Sequence, residues 1–257
     1  MTMTEYRYLV WTIWLLLRYA LSSCLVLIFV RDPIRQRALM AHNTRQTARR
    51  MLGSFRIKLS VHDLDKLQNM ASRNYLAISN HTSYLDIIML ASLEDFVFIT
   101  SEEMGKNPFL GTITRLGGCL YTNRRKPVSL PSEIERFSAT IRQGFKVMLF
   151  PEGTSTNGDT VKAFRSSLFQ TALSASCPIL PICIRYLSID GQPLSRENGD
   201  LVYWYGDMTF VPHYMKLLGR TIEAEIRILD PLMDIKNYSR RELSDHTHAQ
   251  ILSCYHS

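Results

Sequence analysis

The stretch Tyr75-Leu76-Ala77-Ile78-Ser79-Asn80-His81-Thr82-Ser83-Tyr84-Leu85-Asp86 decides the fold, because it joins a strand to a helix through a short polar loop. Its first four residues are apolar and predict a short buried strand, and the apolar residues after Ser83 predict a helix. Ser83 and Asp86 have the spacing of a capping box, so we expect the helix to begin directly after Ser83. His81 then precedes the helix and Asp86 lies in its first turn, where the two side chains can meet.

The residue types at positions 81 and 86 predict base chemistry. A histidine is the natural general base for a hydroxyl group at neutral pH. A carboxylate on its other ring nitrogen would fix the tautomer and stabilise the charged ring. The alternative is that Asp86 only caps the helix and that His81 is a surface histidine. No GxSxG elbow is present, so the base would activate the acceptor hydroxyl directly instead of a serine nucleophile.

A second motif, Phe150-Pro151-Glu152-Gly153-Thr154-Ser155, follows a predicted buried strand over residues 145–150. Gly153 would let a ligand approach the backbone closely, because glycine has no side chain. Glu152 could accept a hydrogen bond from a substrate hydroxyl, and Thr154 could donate one. The alternative is an ordinary turn between a strand and a loop.

A third segment places Arg124 at the end of a predicted strand over residues 119–122. A guanidinium group is planar and permanently charged, so Arg124 is a candidate phosphate ligand. The neighbouring Arg125 and Lys126 are predicted to face solvent or lipid. The alternative for Arg124 is an ordinary surface position.

The order of strand-like and helical segments predicts the fold class. Residues 55–61 and 222–228 alternate apolar and polar side chains as strands do, and we also predict a strand over residues 202–205. Strands separated by helices indicate an α/β fold, here a mixed sheet flanked by helices. We see no internal repeat and no interior linker, so residues 33–257 are predicted to form one domain.

The N-terminal segment 9–30 is apolar, with Arg18 as its only charged residue. About 20 apolar residues are enough for a helix to cross the hydrocarbon core of a bilayer. An arginine near the centre of such a helix costs about 2.5–3.5 kcal/mol, which favours a helix or hairpin lying in one leaflet over a full span. We predict a membrane anchor over residues 1–32, and both arrangements stay open.

The positive charge of the chain is concentrated after this segment, where residues 31–50 contain six arginines. By the positive-inside bias, the domain that follows lies on the cytoplasmic face of the membrane. Residues 34–52 predict an amphipathic helix on an anionic membrane surface or, as the alternative, an ordinary basic surface helix.

The composition limits the partners. The 257 residues have a formal net charge of +7 and a hydrophobic fraction of 46%, which suits one sizeable domain and an anionic partner. The basic residues cluster beside the apolar anchor without an aromatic platform, so we expect no nucleic acid partner. Five cysteines lack the CxxC spacing and HExxH is absent, so we expect reduced thiols and no metal site.

The motifs together resemble the glycerolipid acyltransferase family, which includes bacterial 1-acylglycerol-3-phosphate acyltransferases. The family patterns NHxSxxD, GxxFxxR and FPEGT(R/S) correspond to residues 80–86, 118–124 and 150–155, and a proline-containing apolar strand to residues 178–182. The resemblance covers roughly residues 55–190. It implies a sheet-and-helix fold of the glycerolipid acyltransferase type, with an N-terminal hydrophobic helix or hairpin, at the cytoplasmic face of a bacterial inner membrane.

The resemblance also implies an activity. An acyl group would move from an acyl-CoA or acyl-ACP thioester, as co-substrate, to the hydroxyl of a lysophospholipid in the membrane, and no further cofactor or metal would be needed. His81 would be the base and Asp86 its partner. The residues that would bind the acceptor are Arg124, Glu152, Gly153, Thr154 and Arg165.

Departures from the family pattern bear on the acceptor. Ser155 stands where an arginine is frequent, which removes one potential phosphate ligand. The leading expectation is 1-acyl-sn-glycerol-3-phosphate, and the alternative is lyso-ornithine lipid or another lyso-aminolipid. Residues 204–207 and 212–213 also resemble the branch of the family that includes lyso-ornithine lipid acyltransferases. A non-catalytic lipid-binding protein of the same fold is a further alternative.

A pH dependence follows from the proposed base. The imidazole of an unperturbed histidine has a pKa of about 6.5, and only its neutral form can accept a proton. We therefore expect the rate of the chemical step to fall as the pH drops below that range, measured as a pH–rate profile with saturating substrates. A flat profile down to about pH 5 would contradict a histidine base.

Overall fold

A mixed β-sheet forms the centre of the computed structural model, which describes residues 2–123 and 127–257. The strands are β1 (Ile57–His62), β2 (Leu76–Ser79), β3 (Phe96–Ser101), β4 (Leu120–Thr122), β5 (Lys146–Leu149), β6 (Ile179–Ile189), β7 (Gln192–Pro193) and β8 (Ile222–Ile228). In the described residues the strand order is β1-β8-β6-β2-β5-β3-β4, with β7 beside β6. Strand β6 is antiparallel to β7 and β8, and the other neighbours are parallel.

Helices cover both faces of this sheet. They are α1 (Met3–Phe29), α2 (Pro33–Ser54), α3 (Leu64–Asn69), α4 (Tyr84–Leu93), α5 (Glu102–Lys106), α6 (Leu110–Leu116), α7 (Leu130–Arg142), α8 (Gln170–Ala175), α9 (Phe210–Leu217) and α10 (Arg240–Tyr255). Two clusters of buried apolar side chains lie between the sheet and these helices, as expected for a layered domain. The predicted mixed sheet flanked by helices is confirmed.

The parallel pairing of β2 and β5 brings the first two motifs together. Leu76 of β2 lies opposite Val147 of β5, so the two strands run in register and end at the same edge of the sheet. The loop with His81 follows β2, and the loop with Glu152 follows β5. The carboxyl ends of parallel strands are where α/β folds form their ligand sites.

The N-terminal apolar segment is one continuous helix, α1, and it is packed against the domain. Its buried residues are Thr12, Leu15, Tyr19 and Ser23, a spacing that places them on one stripe. The Asn43 side chain of α2 donates hydrogen bonds to the Tyr19 carbonyl oxygen (3.1 Å) and to Ser23 Oγ (2.8 Å). Helix α2 therefore runs back along α1.

Most of the remaining surface of α1 is apolar and exposed. In the described residues, α1 is the helix that is long and apolar enough to cross a membrane. Arg18 is exposed at its middle. The turn from α1 to α2 falls at residues 30–32, so the boundary of the predicted anchor lies between two helices. The division of the chain into an anchor and a separate domain stays a prediction.

The prediction of a strand over residues 202–205 is wrong. These residues follow a 3₁₀ turn at Gly199–Leu201 and do not join the sheet. The Trp204 N–H donates to the Thr82 carbonyl oxygen at 2.9 Å. The segment therefore crosses over the loop of the first motif. Its backbone bonds to that loop instead of to a neighbouring strand.

The packing of α1 predicts unequal effects for two similar substitutions. Leu15 is fully buried and Leu21 is 64% exposed. We expect Leu15→Ala to lower the free energy of unfolding by about 2–4 kcal/mol, because it leaves a cavity in a packed interface. Leu21→Ala is the control and should change it by less than about 0.5 kcal/mol. Urea unfolding in detergent measures both, and equal effects would show that α1 is not part of the folded unit.

Candidate active site

The His81 and Asp86 side chains meet as the sequence predicted. The distance from His81 Nδ1 to Asp86 Oδ2 is 2.8 Å. Ser83 is the N-cap of α4 and forms the capping box with Asp86. The short loop between β2 and α4 thus places the histidine beside the first turn of the helix.

The loop that carries His81 is also held by hydrogen bonds to strand β6. The Asn80 side chain forms two hydrogen bonds of 2.9 Å with the backbone of Ile184 in β6, donating to its carbonyl oxygen and accepting from its N–H. Asn80 is 1% exposed, so solvent does not compete for these bonds. The start of the loop is therefore held to the neighbouring strand.

Asp86 is a fully buried carboxylate with several donors. Its Oδ2 also accepts the N–H groups of Thr82 (2.7 Å) and Ser83 (2.9 Å), and its Oδ1 accepts the Tyr186 hydroxyl (2.5 Å). A buried charge is stable only when such partners replace water. The carboxylate accepts, so His81 Nδ1 carries a proton and Nε2 keeps the lone pair that a base needs.

Glu152 is bonded to backbone groups of the chain itself, and its role as a substrate ligand stays a prediction. We expected it to accept a hydrogen bond from a substrate hydroxyl. In the structure it is 4% exposed, and its two oxygens accept the N–H groups of His81 (2.7 Å) and Lys162 (2.8 Å). Glu152 therefore joins the loop after β5 to the loop after β2, and it positions the backbone of the histidine.

Burial changes the proton affinity of Glu152. The pKa of this carboxyl group is raised to about 7 from an ordinary value of 4.5, because removal from water disfavours the charged form. The two backbone donors lower the pKa, and their effect is smaller than that of burial.

The other residues of the second motif lie beside this carboxylate. Gly153 has φ = +74°, and a Cβ there would lie 3.0 Å from Nε of Arg165. The Arg165 N–H donates to the Pro151 carbonyl oxygen at 2.9 Å. The left-handed backbone and this close approach both require glycine. Gly153 thus allows the Arg165 side chain to pass over the loop.

A cavity of about 1100 Å³ opens in front of His81. Its wall includes Thr154 and Arg165, both predicted to bind the acceptor. The rest is mainly apolar and comes from α1, α4, α6 and α9, with Leu16, Ile87, Ile113 and Phe210 as examples. A polar reactive corner joined to an apolar chamber suits an amphiphilic substrate.

The predicted ligand Arg124 lies outside the described residues. Described residues on both sides of it are held by Glu133 of α7, which is 4% exposed. The Glu133 carboxylate accepts the Thr122 hydroxyl (2.5 Å), the Asn123 N–H (3.0 Å) and the Ser129 hydroxyl (2.7 Å). The role of Arg124 stays a prediction.

Sequence reasoning missed Tyr186 and the positioning roles of Asn80 and Glu133. Tyr186 lies 100 residues beyond its partner Asp86, and no local spacing relates the two. Glu133 follows Thr122 by 11 residues, with a helix start between them. The Asn80 and Tyr186 contacts depend on the pairing of β2 with β6, and the Glu133 contacts depend on the packing of α7 against the end of β4. A single sequence provides neither.

The site and fold define a family. Residues 58–185, about half of the chain, match the family model described as Acyltransferase. The chain belongs to this acyltransferase family, and the matched segment includes His81, Asp86, Glu152 and Arg165.

Two curated relatives are similar over parts of their length. A lyso-ornithine lipid O-acyltransferase of Rhizobium meliloti is 28% identical over 67% of this chain and 62% of that protein. A 1-acyl-sn-glycerol-3-phosphate acyltransferase of Neisseria gonorrhoeae is 28% identical over 48% of each chain. The chain thus spans less than two thirds of the length of either relative.

The fold has a solved counterpart. The crystal structure of the 1-acyl-sn-glycerophosphate acyltransferase PlsC from Thermotoga maritima matches with a TM-score of 0.66 and 18% identity, over 99% of this chain and 97% of that chain. At this identity the match establishes the fold alone.

The raised pKa of Glu152 predicts a pH-dependent stability. Between about 4.5 and about 7 the folded chain binds more protons at Glu152 than the unfolded chain does. Its contribution to stability is thus present below about pH 4.5 and is lost as the pH rises through about 7. We expect the unfolding free energy of the wild type, relative to Glu152→Gln, to fall by roughly 2 kcal/mol across this range.

Urea unfolding in detergent at both ends of the range measures this difference. Subtracting the Glu152→Gln values removes the contribution of every other titrating group that the substitution leaves unchanged. The exposed Glu197 provides the matched control, since Glu197→Gln should run parallel to the wild type at both pH values. A constant difference between the wild type and Glu152→Gln would contradict the raised pKa.

Proposed function

We propose that the protein is a membrane-associated O-acyltransferase that moves a fatty acyl group from a thioester to the free hydroxyl of a lysolipid. The observation that carries this proposal is the His81–Asp86 pair, joined at 2.8 Å, with His81 on the wall of a large, mainly apolar cavity. The pair supplies a base for the hydroxyl, and the cavity supplies space for acyl chains. Membership of the acyltransferase family supports the same reaction.

The reaction follows from the tautomer of His81. The lipid hydroxyl gives its proton to Nε2 while its oxygen attacks the carbonyl carbon of the thioester and a C–O bond forms. The electron pair of the broken C–S bond leaves with sulfur, which takes the proton back from the imidazolium. The products are an ester and a thiol. Asp86 stabilises the charged ring between these two steps and keeps Nε2 directed at the cavity.

The donor is proposed to be acyl-CoA or acyl-ACP, since both carry the acyl group as a thioester and neither requires a further cofactor. The acceptor head group would lie beside Thr154 and Arg165 on the cavity wall. Arg165 is exposed and can hold a carboxylate or a phosphate as an ion pair.

The membrane is the proposed source of the acceptor. Helix α1 contributes Leu16 and other side chains to the cavity wall, while Trp11, Leu21 and Phe29 are exposed on the same helix. A helix with an exposed apolar surface is stable when that surface lies in lipid. The basic residues of α2 suit the anionic cytoplasmic leaflet, so we place the domain on the cytoplasmic face.

For the acceptor we favour lyso-ornithine lipid or a related lyso-aminolipid. The relative named for that acceptor matches 67% of this chain, against 48% for the relative named for 1-acyl-sn-glycerol-3-phosphate. Ser155 also lacks the charge that an arginine would offer to a phosphate. The second candidate, 1-acyl-sn-glycerol-3-phosphate, is favoured by the name of that second relative and by the basic charge of the chain.

Purified wild type and His81→Ala test the activity with a labelled acyl thioester and each of the two acceptors. We expect the wild type to form the diacyl product of lyso-ornithine lipid with the higher kcat/KM, measured by thin-layer chromatography. His81→Ala should lower kcat by about 100-fold or more, because the base is removed. The exposed His246 supplies the control, and His246→Ala should retain wild-type kcat.

The outcomes separate the candidates. A higher kcat/KM with 1-acyl-sn-glycerol-3-phosphate would select the second acceptor and leave the reaction type intact. Transfer to neither acceptor, from either thioester donor, would overturn the proposed function. Full activity of His81→Ala would overturn the assignment of the base.

A further inference from the structure

A tyrosine from the neighbouring strand β6, 100 residues away in sequence, completes the donor shell of Asp86. The Tyr186 hydroxyl donates to Asp86 Oδ1 at 2.5 Å, and Tyr186 is 8% exposed. We propose that Tyr186 is a positioning residue that holds the Asp86 carboxylate in the plane and charge state that the base His81 requires. This inference rests on the proposed acyl transfer.

The two carboxylate oxygens are held by different elements. Oδ2 accepts from His81 and from the Thr82 and Ser83 N–H groups, all within the β2–α4 segment. Oδ1 accepts from Tyr186 in β6. Rotation of the carboxylate about its Cβ–Cγ bond moves both oxygens, so donors at either oxygen oppose it. The tyrosine hydroxyl adds a donor at the second oxygen, from a different element, and so helps to keep the lone pair of Oδ2 directed at His81 Nδ1.

Tyr186 is itself held in place. Two residues earlier, the backbone of Ile184 forms both hydrogen bonds with the Asn80 side chain. The β6–β8 pairing shifts register between Tyr186 and Ser188, and such a bulge redirects side chains near functional sites. The Tyr186 ring packs edge-on against Tyr203, with 6.0 Å between centroids. Strand β6 is thus tied to the first motif at two points.

The hydroxyl of Tyr186 remains a donor at all working pH values. Burial raises the pKa of Tyr186 well above its ordinary value, and the neighbouring Asp86 carboxylate raises it further. An uncharged phenol beside a buried carboxylate can only stabilise the charge by donating its proton in a hydrogen bond. It therefore withdraws negative charge from Asp86 without becoming ionised.

This withdrawal of charge predicts a specific effect on His81. The hydrogen bond from Tyr186 lowers the negative charge that Asp86 presents to the ring. Removal of the hydroxyl should therefore move the acidic limb of the pH–rate profile to higher pH. Other titratable groups lie around the pair. They are Tyr203 from the loop before α9, which the Tyr186 ring contacts, Tyr255 from α10 and Glu152 from the loop after β5. The titratable groups on the cavity wall also include Arg165, Tyr19, Tyr84, Cys119, Tyr205 and Tyr214. Tyr186→Phe replaces none of these side chains and keeps the ring that contacts Tyr203.

The test compares Tyr186→Phe with the wild type in the acyl-transfer assay over a range of pH. We expect kcat to fall by about tenfold or more, since hydrogen bonds to charged groups are the strong ones, and KM to change by less than about threefold. The midpoint of the acidic limb of the pH–rate profile should move to higher pH by about half a unit or more.

A second buried tyrosine provides the matched control. Tyr75 is fully buried, and its hydroxyl has no hydrogen-bond partner in the described part of the chain. Tyr75→Phe removes the same atom from the same core, so it should leave kcat and the acidic limb at their wild-type values. A change of equal size in both variants would overturn the proposal.

Incorporation of 3-fluorotyrosine at position 186 gives an opposite prediction. The fluorinated phenol keeps the shape of tyrosine and is a stronger donor, so the acidic limb should move to lower pH. If Tyr186→Phe does not fold, the 3-fluorotyrosine variant still tests the positioning role of Tyr186. An unchanged acidic limb in an active 3-fluorotyrosine protein, or in an active Tyr186→Phe, would overturn the positioning role. Absence of acyl transfer in the wild type would instead overturn the proposed function.

Discussion

The buried carboxylate of Asp86 is the constraint on which the site depends. An ion without water is tolerated only when hydrogen-bond donors surround it, and Asp86 is fully buried among donors from β2–α4 and from β6. These donors belong to different parts of the molecule: the backbone at the start of α4, the histidine ring and the neighbouring strand β6. The stability of the fold and the orientation of the base are therefore set by the same group.

The structure uses buried carboxylates in the same way at two further loops. Glu152 accepts backbone N–H groups from His81 and Lys162, and Glu133 accepts donors on both sides of the loop after β4. The loops after β2 and β5, and the described residues on both sides of positions 124–126, are thus each held by an acidic side chain. Loops need such anchors, because their backbone groups lack the regular pairing of strands and helices.

Local features of the site could be predicted and distant ones could not. The Ser83–Asp86 cap, the start of α4 and the His81–Asp86 pair depend on residues within six positions of one another, and the structure contains all of them. The contact of Tyr186 with Asp86 spans 100 positions and depends on the order of β2 and β6 in the sheet. Glu152 was predicted to bind a substrate hydroxyl. Its motif alone does not show that its two oxygens accept backbone N–H groups from His81 and Lys162.

Under the proposed function, the packing of α1 connects the membrane to the chemistry. The same helix presents Leu15 to the core, Leu16 to the cavity and Leu21 to the outside. A separate anchor would only restrict the domain to the membrane, whereas α1 forms part of the chamber in which the acyl chain would lie. Lipid facing the outer surface of α1 is then one helix diameter, about 10 Å, from the substrate cavity. An acceptor lipid could therefore reach His81 with its chain still in an apolar environment, which avoids the cost of exposing that chain to water.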